Sequence, residues 1–385
     1  MVTTQTADSV LKSYYLDVVS DQLNKGVNPF LAMIKNTTSD VWGRDVRKAV
    51  RFGVNGGIGA GTEDGKLPTA GGNRYAQFVS TLKNLYGTIE ISDKAIRASA
   101  NSEGAFVNLL NDEMEELVRS SSFNFGRMLF GDGTGKLATI TGGASENSLK
   151  VDDTIYLQEG MIVDIYNSGN VLAAGGRTIL NIDRSTKSVT LSGEDTAVTD
   201  GYIVLQGSKD LEITGLGAVF GNQDIYGVSR ADNAWMKPHI ATVAKISEMD
   251  ILNAIDTIEQ NSGGKVNVIL CSLDVRRHIY ALLSAKSCIT SVELEGGYKT
   301  ISINGIPVIA DRFCPSGCLY LLNTEDFALH QLCDWQWLEG EDGKVLKQVA
   351  GKPVYTATLV KYAELMCYRP CGQGLLKGIT GPAIG

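Results

Sequence analysis

The stretch RDVRKAVRFGVNGGIGAGTEDGKLPTAGGNRYAQFVSTL, residues 44–82, decides how the chain is read. Over 44–54 it alternates. Val46, Lys48, Val50, Phe52 and Val54 fall on one side; Arg47, Ala49, Arg51 and Gly53 fall on the other. A period of two is the signature of a strand. A second alternating run starts at Arg74 and continues through Phe78, Val79 and Leu82 to Ile89 and Ile91. Between the runs lie Gly56, Gly57, Gly59 and Gly61, then a polar segment that reaches Asn73. Two long strands joined by a glycine-rich tip predict an extended β-hairpin over 44–92. It carries Arg44, Arg47, Arg51, Lys66, Arg74 and Lys83 and little apolar surface, so it is expected to project from the body. A ribbon of two strands is marginal in water and wants a partner surface.

Upstream, residues 7–25 are amphipathic at helical spacing, with Val10, Leu11, Tyr14, Val18 and Leu23 on one side. Gly26 and Pro29 end that run, and 29–34 is a compact apolar patch too short to form a core alone. Residues 1–43 therefore read as an arm that docks elsewhere, with Tyr14, Tyr15 and Phe30 as its expected contacts. Downstream, Ser102 is positioned as an N-cap for a long helix. Phe106, Leu109, Leu110, Leu117, Val118, Phe125, Met128 and Leu129 recur mostly at three- and four-residue intervals. The glycines at 131, 133 and 135 stop it. At ~1.5 Å per residue such a helix is a rod of roughly 40 Å.

Residues 150–206 read as several short strands separated by Gly, Asn and Asp turns, a small β-rich insertion with the potential to close as a barrel. Ser247 then caps a helix that buries Ile251, Leu252, Ile255 and Ile258 and ends at Gly263-Gly264. A strand over 266–270, a helix over 273–284 and strands over 300–304 and 306–310 complete an α/β unit.

Composition narrows the function. The chain has 385 residues, 43% of them hydrophobic and 20% charged, enough for a substantial core. Its net charge of −8 is the wrong sign for gripping nucleic acid. The seven cysteines, an odd number and all beyond residue 270, read as reduced thiols and not as a disulfide framework. The first residues, MVTTQTADSVLKSYYLDVVSD, lack the apolar core of a signal peptide. No apolar run approaches the ~18 residues of a membrane span. A soluble protein made in a cytoplasm is expected.

Catalytic and cofactor motifs fail on inspection. A phosphate loop needs a glycine five residues before Gly65-Lys66 and a hydroxyl after it; Ala60 and Leu67 stand there. At Gly135-Lys136 the same positions hold Phe130 and Leu137. Cys314/Cys318 and Cys367/Cys371 have a spacing compatible with zinc, but their apolar neighbours favour buried thiols. The acids Asp112, Glu113, Glu115 and Glu116 read as the solvated face of the long helix. No Gly-x-Ser-x-Gly elbow or His-Glu-x-x-His pair occurs among three histidines. No enzyme, cofactor or metal is expected.

The order of elements resembles the major capsid protein of tailed bacteriophages, the Hong Kong ninety-seven-type fold, in a siphophage-like branch. Local stretches agree: 56–60 with 67–71 and Arg74-Tyr75, 129–135, 224–228 with Trp235, and 305–309 with Asp311, Pro315, Gly317 and Tyr320. The resemblance implies an α+β chain divided into an N-terminal arm (1–43), an extended hairpin loop (44–92) and a peripheral domain with the long spine helix (93–149). It further implies the β-rich insertion (150–207), a peripheral return (208–240), an axial domain (241–320) and a C-terminal peripheral part (321–385). It implies a subunit that self-assembles, as hexamers and pentamers, into an icosahedral shell around double-stranded DNA without sequence-specific binding. The six hairpin cations and the three arm residues become inter-subunit contacts. A separate scaffolding protein and a portal are expected partners, the bacterial cytoplasm the place of assembly and the virion the destination. Some relatives weld the shell through an isopeptide bond from a hairpin lysine; Lys66 sits at the tip, with no acceptor identified. The alternative is an encapsulin-type cellular nanocompartment, a shell around a cargo enzyme.

Overall fold

A computed structural model describes residues 28–95, 103–145, 147–194, 198–285, 291–293, 299–340, 343 and 345–383. Tyr14 and Tyr15 lie outside the described residues. The expected α+β character is present, organised around three hydrophobic cores.

The largest core lies in the region expected to be the peripheral domain. Its sheet runs Lys35–Thr37, Phe327–Trp337, Val354–Cys367, Lys347–Gln348, with Lys83–Ser92 also paired to Val354–Cys367. The spine helix, Glu103–Met128, packs on this sheet. It buries Met114, Val118, Ser121, Phe125 and Met128, an inward stripe at helical spacing. Glu113, Glu115 and Glu116 face outward, as a solvated acidic edge would. Met128 and Leu129 pass straight into the core, and Gly215 lets residues 215–217 lie against the helix exit. A Cβ at Gly215 would collide with the Met128 and Leu129 carbonyls.

Two buried polar devices lock this body to the insertion. Arg127, in the last turn of the spine, reaches Glu212 bidentately, Nη1 to Oε2 at 2.8 Å and Nη2 to Oε1 at 2.5 Å. Asn124 Oδ1 accepts from the same guanidinium. Nearby, Glu364 Oε1 accepts from the Thr214 backbone at 2.7 Å, while Oε2 is buried without a partner. Burial pushes the Glu364 carboxyl up to about 7; the Thr214 hydrogen bonds and the Lys83 ammonium pull only partly the other way. A folded pKa above the unfolded value means full stability below the unfolded pKa, lost as pH rises through about 7. Glu364→Gln is therefore expected to flatten the rise in melting temperature between pH 8 and pH 5, a comparison thermal scans can make.

The insertion is a closed barrel of strands Lys136–Ser145, Ser148–Val151, Ile162–Asn167, Leu172–Asp183, Ser188–Leu191 and Gly201–Leu205. Leu149, Val163, Ile165, Ile179, Val189 and Ile203 fill it completely, so it is packed and not a pore. It begins at Lys136, earlier than the boundary expected at 150. The reason is that Gly201–Leu205 pairs with Lys136–Ser145, closing the ring.

A seven-stranded sheet, built largely from the region expected to be the axial domain, has the order His239–Thr242, Gly374–Lys377, Leu319–Leu322, Val268–Cys271, Ile306–Ala310, Lys299–Ile303, Ser291–Glu293. Helix Glu248–Ser262 starts with the expected Ser247 cap, a full capping box with Asp250, and ends at Gly263 in the left-handed region (φ 64°). Helix Leu273–Ala285 follows the central strand. Residues 374–377 belong here and not to the peripheral part expected for 321–385. They pair parallel to His239–Thr242 and antiparallel to Leu319–Leu322.

Six cysteines lie among the described residues, all as free thiols, and Cys318, Cys333 and Cys371 are half-buried. Cys271, Cys314 and Cys367 are buried, and burial raises all three thiol pKa values. Among the described residues no cluster of three or more His, Cys, Asp or Glu side chains has metal-site geometry. His330 is a satisfied core histidine, bonded to the Ser39 carbonyl at 3.0 Å and the Tyr368 hydroxyl at 2.7 Å.

Candidate assembly surface

The ribbon pairs Asp45–Phe52 with Arg74–Thr81, from Asp45 opposite Thr81 to Phe52 opposite Arg74. The predicted alternation is present, with Val46, Lys48, Val50 and Phe52 turned inward and Arg47, Ala49 and Arg51 exposed. The second run, however, is two strands. It breaks at Leu82, whose N–H donates to the Arg44 carbonyl. Lys83–Ser92 then crosses into the sheet of the largest core along its full length, Lys83 opposite Ala363 and Ser92 opposite Val354. Lys83 is consequently a half-buried sheet residue and not a ribbon contact.

The base of the ribbon is clasped by its own body. Phe52 stacks on Trp235 at 4.7 Å, and Phe78 stacks on both Tyr226 (5.2 Å) and Trp235 (5.9 Å). The Val79 N–H donates to the Tyr226 carbonyl. Tyr226 is held in turn: its hydroxyl donates to Leu365 O and accepts from the Cys367 N–H. Trp235→Ala is expected to cost about 2 kcal/mol, since the indole is half-buried and serves two rings. Hydrogen exchange should then quicken over 45–52 and 74–81 more than in the seven-stranded sheet.

Beyond the clasp, residues 53–73 reach out with almost every side chain exposed. Two strands of backbone nearly touch there: the Asn55 carboxamide accepts from the Gly57 N–H, and a Cβ at Gly71 would strike the Gly57 amide. The glycines are needed for that pinch. On the outside sit Leu67 (90% exposed), Val54 (83%) and Ile58 (81%), with Tyr75 and Trp42 exposed nearer the base. Sequence reading emphasised the cations and passed over these apolar residues. The signal was available as isolated large aliphatics inside a run of glycine and polar residues.

The cations divide. Arg44 and Arg47 lean on Asp45 at 3.7 and 3.4 Å, so part of their charge is already matched. Arg51, Lys66 and Arg74 are exposed and make no ion pair among the described residues. Phe30 corrects the expected arm contact. It is fully buried, edge-on to Phe327 at 5.5 Å, because the helix Pro29–Met33 plugs into the largest core of its own chain. Nothing in this surface assembles a nucleophile, a base and an oxyanion donor.

No family model matches the sequence, and no curated protein does. The fold does find counterparts. A subunit of the cyanophage A-1(L) capsid asymmetric unit superposes with a TM-score of 0.54 at 12% identity, covering 92% of this chain and 93% of the other. The chain has the fold of a tailed-phage capsid subunit. Other similar structures are the SrpI encapsulin complex of Synechococcus elongatus (TM-score 0.46, 10% identity, 96% and 98% covered) and Mycobacterium phage Bobi (0.47, 8%, 93% and 92%). In chain order the ribbon comes first, then helix Glu103–Met128, then the barrel.

Proposed function

We propose that the chain is the major capsid protein of a tailed bacteriophage. It forms hexamers and pentamers that close into an icosahedral shell around double-stranded DNA, with a separate scaffolding protein and a portal as partners. The observation that carries this reading is the outstretched tip at 53–73. Three large aliphatic side chains there are covered by none of the described residues of the chain. A two-stranded ribbon that carries such a tip is marginal in water and wants a partner surface. A neighbouring copy supplies the cover, and Arg51, Lys66 and Arg74 set register against it. A net charge of −8 suits a container wall along which packed DNA slides. The protein itself would be structural, ending in the virion after assembly in the host cytoplasm.

Electron microscopy of the purified, concentrated protein tests the reading. Closed icosahedral particles are expected, and particles recovered from producing cells should hold DNA. Particles that hold a cargo enzyme instead would replace the genome container with an encapsulin-type compartment. A protein that stays monomeric at high concentration, with and without scaffolding protein, would end both.

A further inference from the structure

A cavity of about 630 Å³ opens beside the base of the ribbon. It lies where the segment after the turn Ala234–Met236 meets the end of helix Glu248–Ser262 and the turn Pro370–Gly372. Its apolar lining is Ala234, Trp235, Pro238 and Ile240; its polar lining is Lys237, His239 and Asn261, with the Cys371 thiol between them in character. No carboxylate lines it, in a chain with 43 acidic residues against 35 basic ones. The side chains of Lys237, His239 and Asn261 make no hydrogen bond or ion pair among the described residues. Three donors, one of them a cation, thus line a concave site with an indole in its wall and have no protein partner among the described residues. The volume lies within the ~300–1,000 Å³ typical of small-ligand sites.

We propose that this cavity binds a carboxylate carried on an apolar frame. The ammonium of Lys237 and the donors of His239 and Asn261 take the carboxylate, and Trp235, Pro238 and Ile240 take the frame. A bare inorganic anion would leave the apolar lining wet, and a neutral ligand would leave the charge unmatched. The site also touches the ribbon, because Trp235 is the indole on which Phe52 and Phe78 stack. An occupant in contact with the Trp235 indole would restrain the clasp and stiffen the ribbon at its root. That consequence for assembly rests on the shell reading; the binding itself does not.

The test uses the full unassembled chain and calorimetric titration with three probes: N-acetylphenylalanine, its neutral amide and inorganic phosphate. Saturable one-to-one binding is expected for the carboxylate, at least tenfold weaker binding for the amide, and none for phosphate over the same range. Lys237→Met should weaken the carboxylate tenfold or more while leaving the melting temperature unchanged. Asn261→Ala, a second exposed position, should weaken it severalfold. Absence of saturable binding overturns the proposal, as does equal binding of the amide, equal binding of phosphate, or an undiminished Lys237→Met variant. Ligand binding as expected, in a protein that never forms shells, would count against the capsid reading and leave the site standing.

Discussion

Arg127→Met is expected to destabilise the fold by about 3–5 kcal/mol, the largest effect of any single substitution considered. Methionine nearly fills the space of the aliphatic stem, so little volume is lost. The cost lies in what remains. Glu212 is 3% exposed and takes two of its hydrogen bonds from the Arg127 guanidinium. Without them a carboxylate is buried with no counter-charge, which is far worse than having no ion pair at all. Replacing both partners, Arg127→Met with Glu212→Leu, should therefore recover most of the loss. Denaturant midpoints of the two single variants and the double variant check this. Equal and additive losses in the singles, with no recovery in the double, would mean that the pair is not coupled. Because the pair joins the spine's last turn to the segment leaving the barrel, the single variant should also loosen the barrel's attachment before the barrel itself melts.

The second large effect concerns assembly and leaves folding almost untouched. Deleting 56–72, or replacing Val54, Ile58 and Leu67 together by serine, is expected to abolish shells while the chain stays a folded monomer. These side chains are exposed in the lone chain, so their removal changes folding stability by little more than the ±0.5 kcal/mol of an ordinary surface change. In a closed shell each lost contact recurs around every subunit, so a loss of about 1–2 kcal/mol per burial site compounds across the lattice. Sedimentation and microscopy separate the outcomes. Wild-type-like particles from either variant would remove the tip from any part in assembly. The cations make a useful contrast: Arg51→Ala should slow association and alter its salt dependence more than it lowers the yield of shells.

Much of this architecture was legible from periodicity and punctuation. The ribbon's first strand, the spine helix, the Ser247 cap and the Gly263 stop each follow from local chemistry, and each lies where the pattern places it. What escaped depends on partners distant in sequence. The buried face of 74–91 changes phase at Leu82, from Ala76, Phe78 and Leu82 to Leu85, Ile89 and Ile91, because the two strands bury one face each against different surfaces. That shift marks the change of sheet, but only the partner strands show where each half goes. The barrel's first strand, LATITGGAS after Lys136, looks like a turn because its glycines interrupt the pattern. Arg127 sits on the helix where a surface cation would be expected, and only Glu212, far along the chain, explains its burial. At the candidate surface the exposed cations were readable. The apolar tip is harder to read, because isolated aliphatics in a loop carry no periodicity.

The place of residues 374–377 in the seven-stranded sheet bears on how the protein is made. That strand fills the slot between His239–Thr242 and Leu319–Leu322, so until translation has passed it, both neighbours face an open gap. A nascent chain still held on the ribosome therefore lacks a finished seven-stranded sheet, although its ribbon has long since emerged. On the shell reading, the order of synthesis would help to keep half-made subunits out of a growing lattice.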